Sequence, residues 1–221
     1  MTSLIFDVTS IEPLSKSKPK QAIILCHGYG GDGKDISTLA IHWRRFLPDS
    51  IFLCPNAPET CSLNPHGFQW FDLSIDKEEA ILEKSLEAEK KLTLFLDQVA
   101  DNFKLEPKNL ALVGFSQGCM LSLQVGLKNK KQISCIIGYS GKIISKEYLS
   151  TNINSKPKIF LMHGDNDPVV SPTYLLEAKE FLVSQGIKVK TKIFKNCEHK
   201  IPVEGTSLGL AFLMKNLLQS K

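Results

Sequence analysis

Three features that mark other classes of protein are scarce or missing in this sequence: long apolar runs, arginine and paired cysteines. No apolar stretch approaches the ~20 residues needed to cross a bilayer, so no integral membrane segment is predicted. Only Arg44 and Arg45 among the 27 basic residues are arginines, and the lysines are scattered. Because contacts that read nucleic-acid sequence favour the arginine fork, the net charge of +4 predicts a mildly basic, solvated surface and no nucleic-acid partner.

The six cysteines include no C-x-x-C pair, and no histidine stands at zinc-finger spacing from them. Cys26, Cys54 and Cys135 lie in apolar, strand-like runs, where a free thiol behaves as a small hydrophobic side chain. This pattern predicts free thiols in a reducing compartment and no metal site. Residues 1–7 have no basic segment ahead of their short apolar run, so no signal peptide is predicted and we expect a cytoplasmic protein.

The 221 residues are 43% apolar, enough for one good-sized core, and we expect a single domain over residues 1–221. Short apolar runs rich in β-branched residues alternate with stretches of helical spacing. This alternation predicts an α/β fold with a mostly parallel central sheet and helices on both faces. The predicted core strands are Ala22–Cys26, Ile51–Cys54, Leu110–Val113, Ile133–Gly138, Ile159–Met162 and Val189–Phe194, and the predicted helices are Ser37–Phe46, Lys77–Phe103, Cys119–Leu127, one beginning at Ser171, and Thr206–Leu218.

A glycine-rich loop, His27-Gly28-Tyr29-Gly30-Gly31-Asp32-Gly33-Lys34-Asp35, follows the first core strand. It matches G-x-G-x-x-G and most of a P-loop, which are both nucleotide-binding motifs. A P-loop needs Ser or Thr after its lysine, where this chain has Asp35, and a dinucleotide fold needs an acidic residue at the end of the second strand, which is followed here by Pro55-Asn56. We therefore favour a third interpretation, in which the loop supplies one backbone N–H of an oxyanion hole.

The residues Gly114-Phe115-Ser116-Gln117-Gly118 form a G-x-S-x-G motif between a predicted buried strand and a helix. Such a sharp strand-to-helix turn strains the backbone at the serine, and the flanking glycines leave room for it. The N–H of Gln117, at the start of the helix, is available to an oxyanion. In this context the motif predicts that Ser116 is a nucleophile.

A serine nucleophile needs a histidine base and an acid to orient it. Of the five histidines, only His199 gives the chain order serine, acid, histidine that this architecture uses. The acid should come from the turn after the strand Ile159–Met162, where Asp165 and Asp167 compete. We favour Asp167, which precedes a proline that fixes the chain direction, whereas Asp165 could cap the turn. The other histidines are expected in the glycine loop (His27), a helix (His42), the long loop (His66) and a strand end, supporting the turn (His163).

The residues Tyr29, Ser116, Asp167 and His199 each lie just beyond the carboxyl end of a predicted strand. If the strands are parallel, these ends share one edge of the sheet, where open α/β folds bind their ligands. Four separate local signals thus predict a single site.

Taken together, the motifs resemble those of a known family. His27–Gly30, Trp70–Asp72, Gly114–Gly118 and His163–Val170 occur in the order found in the phospholipase/carboxylesterase family of α/β hydrolases, the group of bacterial carboxylesterases and acyl-protein thioesterases. The resemblance extends from about Ala22 to the C-terminus. It implies an α/β-hydrolase fold without a large cap domain.

The resemblance also implies roles for individual residues. Ser116 would be the nucleophile, Asp167 the acid and His199 the base, with no metal or organic cofactor. Tyr29 and Gln117 would supply the oxyanion N–H groups, and Trp70 would lie near the acyl-binding surface.

Without a cap domain, the site is expected to be shallow or covered only by residues 61–71, part of the long irregular connection Pro55–Ile75. Leu63, Phe68 and Trp70 could bind a short or medium acyl chain there, although Leu63 and Phe68 could equally pack this loop onto the core. We predict a serine hydrolase that cleaves carboxylic esters or acyl thioesters, including lysophospholipids or acylated proteins, and the sequence is compatible with a homodimer. A peptidase on the same scaffold and a non-catalytic binding module are the alternatives.

One position departs from the family pattern. Cys119 stands where a second glycine usually follows the nucleophile motif. A thiol there is expected to crowd the contact between helix and strands and to be sensitive to oxidation.

Overall fold

In this computed structural model, residues 3–74 and 77–218 are described, and strands and helices alternate along them. The strands are β1 (Val8–Ile11), β2 (Gln21–Cys26), β3 (Ser50–Pro55), β4 (Glu59–Thr60), β5 (Phe68–Gln69), β6 (Leu110–Phe115), β7 (Cys135–Tyr139), β8 (Lys158–Gly164) and β9 (Val189–Phe194). The α-helices are α1 (Gly33–Trp43), α2 (Glu78–Phe103), α3 (Gln117–Lys128), α4 (Lys146–Asn152), α5 (Thr173–Ser184) and α6 (Val203–Leu217).

Seven of these strands form one sheet in the order β1-β3-β2-β6-β7-β8-β9. β1 pairs antiparallel with β3, and every other neighbouring pair in this sheet is parallel. Strands β2, β3 and β7 are buried along their whole length, as expected for strands covered on both faces. The predicted α/β fold with a mostly parallel central sheet is confirmed.

Helices cover both faces of the sheet because successive residues of a strand point to opposite sides. Ile24 packs into the apolar layer that contains α2, α3 and α5, whereas Ile23 and Leu25 pack into the layer that contains α1 and α6. The long helix α2 presents Leu92 and Phe95 to the first of these layers. None of the helices in the described residues is long and apolar enough to cross a membrane.

Helix α4 and the ribbon formed by β4 and β5 were not predicted from the sequence. Helix α4 begins after Ser145, whose hydroxyl accepts the N–H of Tyr148 at 3.2 Å and caps the helix. The connection predicted as the irregular loop Pro55–Ile75 contains the short antiparallel ribbon β4-β5, with Thr60 opposite Phe68; Ile75 itself lies outside the described residues. This ribbon orders a connection that local sequence pattern predicted only as a loop.

Parallel pairing brings the predicted site together. Strands β2, β6, β7, β8 and β9 are consecutive in the sheet and run in one direction, so their carboxyl ends lie at one edge. The segments that follow these ends carry Tyr29, Ser116, Asp167 and His199. Sheet topology thus explains how residues far apart in the sequence reach one place.

Candidate active site

Ser116 occupies a sharp turn between β6 and α3. Its backbone has φ 52° and ψ −117°, and the positive φ confirms the predicted strain. A Cβ on Gly114 would lie 2.3 Å from the carbonyl oxygen of Gly118, and one on Gly118 would lie 2.2 Å from that of Cys26. Only glycine fits on either side, and the turn thus presents the serine hydroxyl at the edge of the sheet.

Asp167 and His199 form a direct hydrogen bond. The Oδ2 atom of Asp167 lies 2.7 Å from Nδ1 of His199, and its Oδ1 atom accepts the N–H groups of Val169 and Val170, each at 2.9 Å. Burial raises the pKa of Asp167, but the hydrogen bonds from Val170, His199 and Val169 outweigh it, so the net pKa is lowered. The ionised carboxylate therefore holds the Nδ1–H tautomer of His199 and leaves Nε2 as the basic nitrogen.

The imidazole of His199 is packed beside the serine turn. The ring of Phe115, the residue before Ser116, lies with its centroid 4.9 Å from that of His199. The side chain of His199 is 17% exposed, whereas that of Asp167 is fully buried. The structure thus brings the predicted base and acid together next to the predicted nucleophile.

The glycine loop approaches Ser116 from the neighbouring strand. A Cβ on Gly28 would lie only 3.3 Å from the Cβ of Ser116, so the absence of a side chain permits this close approach. Among the described residues, the backbone N–H groups of Tyr29 and Gln117 donate to no protein acceptor. Both are thus available to a developing negative charge, as the oxyanion-hole interpretation requires.

The remaining sequence alternatives have structural explanations. His27 is buried, with Nδ1 2.7 Å from the carbonyl oxygen of Gly28 and Nε2 accepting the N–H of Ala57 at 3.0 Å, so it supports the loop. Asp32 caps α1 by accepting the N–H of Asp35 at 2.7 Å, which puts a carboxylate where a nucleotide phosphate would bind. Asp165 is exposed, and its Oδ1 atom lies 3.4 Å from the N–H of Cys197.

Sequence reasoning placed His163 at the turn but missed its contact with Asp167. Its Nε2 atom lies 2.9 Å from the carbonyl oxygen of Val170 and 3.1 Å from Oδ2 of Asp167. Both neighbours are acceptors, so Nε2 carries the hydrogen, and burial lowers the pKa of this imidazole. His163 is therefore a neutral imidazole that donates to Val170 and lies against the acid. Its position at the end of β8, four residues before Asp167, was the available signal.

The side chain of Gln117 was also missed. Its Oε1 atom accepts the N–H of Trp70 at 2.8 Å, and its Nε2 atom donates to the carbonyl oxygen of Phe71 at 2.6 Å. This amide ties the long connection to the start of α3, beside the serine. Trp70 adds a second tie by donating its indole N–H to the carbonyl oxygen of His27 at 3.0 Å.

Of the three predicted substrate-binding residues, the structure brings one to the site surface. A groove of about 440 Å³, which we call the Ser116 groove, is lined by Ser116 and mainly by apolar side chains, namely Leu63, Leu73, Ile81, Met120, Val169 and Val170. Leu63 is 85% exposed there. Trp70 is completely buried, and Phe68 is half-buried against the core. Both side chains pack the connection onto the core in place of the expected contact with an acyl chain.

A second groove opens on the other side of Tyr29. This His199 groove has a volume of about 450 Å³ and is lined by His199, Phe115, Ile36 and Leu39, with Asp35 and Lys200 among its charged residues. Tyr29 lines both grooves. The serine turn thus has an apolar groove on one side and a more polar groove on the histidine side.

Cys119 is accommodated without crowding. Its Sγ atom lies over Gly138 and Gly141, where an added Cβ would be only 2.3 and 2.6 Å from the sulfur. Because these two glycines have no side chains, they leave room for the thiol, and the expected crowding does not occur. Burial raises the pKa of the thiol to about 12, and because the thiolate is the reactive form, the structure argues against the expected sensitivity to oxidation.

A mostly parallel sheet with a serine on a strained strand-to-helix turn, and an aspartate–histidine pair at the same edge, defines the chain as an α/β hydrolase. It matches the phospholipase/carboxylesterase family over residues 9–217 and belongs to that family.

The similarity to individual proteins extends over most of the chain. It is 31% identical over 196 residues to acyl-protein thioesterase 1 of Mycosarcoma maydis, covering 79% of this chain and 80% of that protein. It is 27% identical over 205 residues to esterase YpfH of Escherichia coli K12, covering 90% and 84%. The crystal structure of esterase PE8 matches with a TM-score of 0.92 and 36% identity, covering 96% and 99%. The protein is a hydrolase of the carboxylesterase and thioesterase type.

Proposed function

We propose that this protein is a serine hydrolase that cleaves carboxylic esters or acyl thioesters through an acyl-enzyme on Ser116. The observation that carries the proposal is the 2.7 Å hydrogen bond between Asp167 and His199 beside the strained turn of Ser116. The relatives named esterase and acyl-protein thioesterase support the choice of substrate class. Small esters, lysophospholipids and acylated proteins all have the required carbonyl.

In the first step, Nε2 of His199 takes the hydroxyl proton of Ser116 as its oxygen attacks the acyl carbonyl. Asp167 stabilises the imidazolium that forms. The tetrahedral oxyanion accepts the N–H groups of Tyr29 and Gln117, and loss of one such donor typically costs ~3 kcal/mol of transition-state stabilisation.

His199 then returns the proton to the alcohol or thiol that leaves, and the acyl group remains on Ser116 as an ester. Water, deprotonated by the same nitrogen, attacks this ester and releases the acid. The balance of atoms and protons closes with ester and water alone, so the reaction requires neither a metal nor an organic cofactor.

The two grooves receive different parts of the substrate in this proposal. The leaving atom must lie within reach of Nε2 of His199 to be protonated, so the leaving group occupies the His199 groove. The acyl chain then extends away from His199 into the Ser116 groove, whose apolar lining suits a short or medium chain. Leu63 contacts this chain, whereas Trp70 and Phe68 support the connection that carries Leu63.

Covalent labelling tests the nucleophile. We expect a fluorophosphonate probe to label the wild type once per chain, and Ser116→Ala to lose both labelling and hydrolysis of p-nitrophenyl octanoate, with kcat down at least about 10⁴-fold. Ser122→Ala, which changes a buried serine of the same helix, is the matched control and should keep both. Labelling that survives in Ser116→Ala would overturn the assignment.

The choice of reaction needs a second assay. We expect the wild type to cleave octanoyl thioesters and p-nitrophenyl esters but not a matched anilide of octanoic acid. Turnover of the anilide at a comparable kcat/KM would replace the proposal with a peptidase on this scaffold. If the probe labels the wild type but the unlabelled protein cleaves none of the three substrates, the result would favour a binding module.

We also propose that the protein works in the cytoplasm as one folded unit. The cytoplasmic location is supported by the six cysteines, which are all free and buried. When cells that contain the protein are rapidly denatured and then treated with a thiol reagent, all six cysteines should be modified. Recovery of the protein with disulfides would contradict a reducing location.

A further inference from the structure

The Ser116 groove contains one charged side chain among its described lining residues. Lys142 lies in the segment that follows β7, after Gly141, where an added Cβ would lie 3.0 Å from the carbonyl oxygen of Ser116. It is half-buried, and its Nζ atom lies 5.0 Å from the centre of the Tyr174 ring, which lines the same groove. The groove thus has a mainly apolar lining with several hydroxyl groups, and the one charged group among its described residues is an ammonium near the serine turn.

The described residues provide no anionic partner for this ammonium. Its neighbour Lys146 pairs with Glu177 at 2.6 Å, and Glu78 lines the adjacent cavity without reaching ion-pair distance from Lys142. The face of an aromatic ring compensates a desolvated cation only in part. A half-buried cation on an apolar surface is therefore poised to bind an anion brought by the substrate.

We propose that Lys142 binds a carboxylate carried by the acyl group, so that the preferred substrates are half-esters or half-thioesters of dicarboxylic acids. This inference rests on the proposed function, because it requires the acyl group to lie in the Ser116 groove. A phosphate on the leaving group would lie on the His199 side and would not reach Lys142 in this arrangement. Lys142 thus determines specificity, and the apolar lining binds the methylene chain between the two carbonyl carbons.

Two esters that differ only at the end of the acyl chain test the proposal: p-nitrophenyl octanoate and the mono-p-nitrophenyl ester of octanedioic acid. This chain is long enough that the free carboxylate does not displace the phenol without enzyme. We expect the ratio of kcat/KM for the charged ester to that for the neutral ester to fall about tenfold in Lys142→Met. Lys142→Arg should restore most of the ratio, and added salt should lower it in the wild type.

Lys146→Met is the matched control, because it removes a lysine four residues away that lines only the adjacent cavity. It should keep the wild-type ratio. An unchanged ratio in Lys142→Met, or an equal fall in Lys146→Met, would overturn the proposal. Failure of the proposed function would look different, since the wild type would then cleave neither ester or Ser116→Ala would cleave both.

Discussion

At the scale of single residues, Asp167 is held by three hydrogen bonds and one further contact. Two backbone N–H groups bind Oδ1, while His199 and His163 approach Oδ2 at 2.7 and 3.1 Å. The bonds from Val169, Val170 and His199 keep the buried carboxylate ionised, because hydrogen bonds to the charged form outweigh its desolvation. His163 affects catalysis without contacting the substrate, because it positions the acid that orients the base.

Removing the donor of His163 tests this positioning role. In His163→Phe we expect kcat to fall about tenfold, because Asp167 loses one of its contacts.

The conservative variant separates positioning from packing. His163→Gln keeps an N–H donor at a similar distance from the backbone and should recover much of kcat. If both variants lose activity equally, His163 only fills space.

At the scale of elements, the site depends on how the long connection is attached. The connection crosses the glycine loop, where the N–H of Gly30 donates to the carbonyl oxygen of Phe68 at 2.9 Å. The amide of Gln117 binds it again at Trp70 and Phe71, all three of which are buried. Because the connection carries Leu63 to the Ser116 groove, these bonds link the shape of the groove to the start of α3.

Gln117→Met tests this attachment, since it preserves the length of the side chain but removes both hydrogen bonds. Two buried backbone groups lose their partners, each worth about 1–3 kcal/mol, and we expect KM for p-nitrophenyl octanoate to rise several-fold as the connection loosens. Fluorophosphonate labelling should persist, because the oxyanion donor of Gln117 is its backbone N–H.

Gln124→Met is the matched control. Gln124 is a buried glutamine of the same helix that donates to Ser85 and Glu89, away from the grooves. It should lower the free energy of unfolding by a similar amount while KM stays at the wild-type value. An equal rise of KM in both variants would attribute the effect to general destabilisation.

At the scale of the whole molecule, the buried histidines couple stability to pH. Burial lowers the pKa of His27 and of His163, and both side chains are nearly inaccessible to solvent. Below the ordinary histidine pKa of about 6.5, the unfolded chain takes up protons that these imidazoles in the folded protein do not. The folded state therefore loses stability as the pH falls.

Urea denaturation at a series of pH values measures this loss. We expect the free energy of unfolding to decrease between pH 7 and pH 5, by at most about 1.4 kcal/mol per pH unit for each histidine. A further loss should follow below about pH 4, where Asp167 in the unfolded chain takes up a proton that the folded carboxylate, with its lowered pKa, does not. His163→Gln should flatten the first decline. A flat profile between pH 7 and pH 5 would contradict the coupling.

The sequence by itself determined the alternation of the main strands and helices, the serine turn and the chain order of serine, acid and histidine. These features depend on local periodicity, on glycines at a tight turn and on where each residue falls relative to a strand end. Parallel pairing then follows from the alternation of strand and helix, which places those ends at one edge. The same local rules also suggested nucleotide binding by the glycine loop, and they could not exclude it alone.

Only the tertiary structure decided that Asp167 rather than Asp165 contacts His199, that Trp70 points into the core, and that His163 meets the acid. It also decided that Lys142 lies in the Ser116 groove. Each of these outcomes depends on which atoms of distant segments meet once strands and helices pack. Local sequence pattern carries residue type and spacing but not the direction of a side chain across the sheet, and contacts between segments become defined only when the core closes.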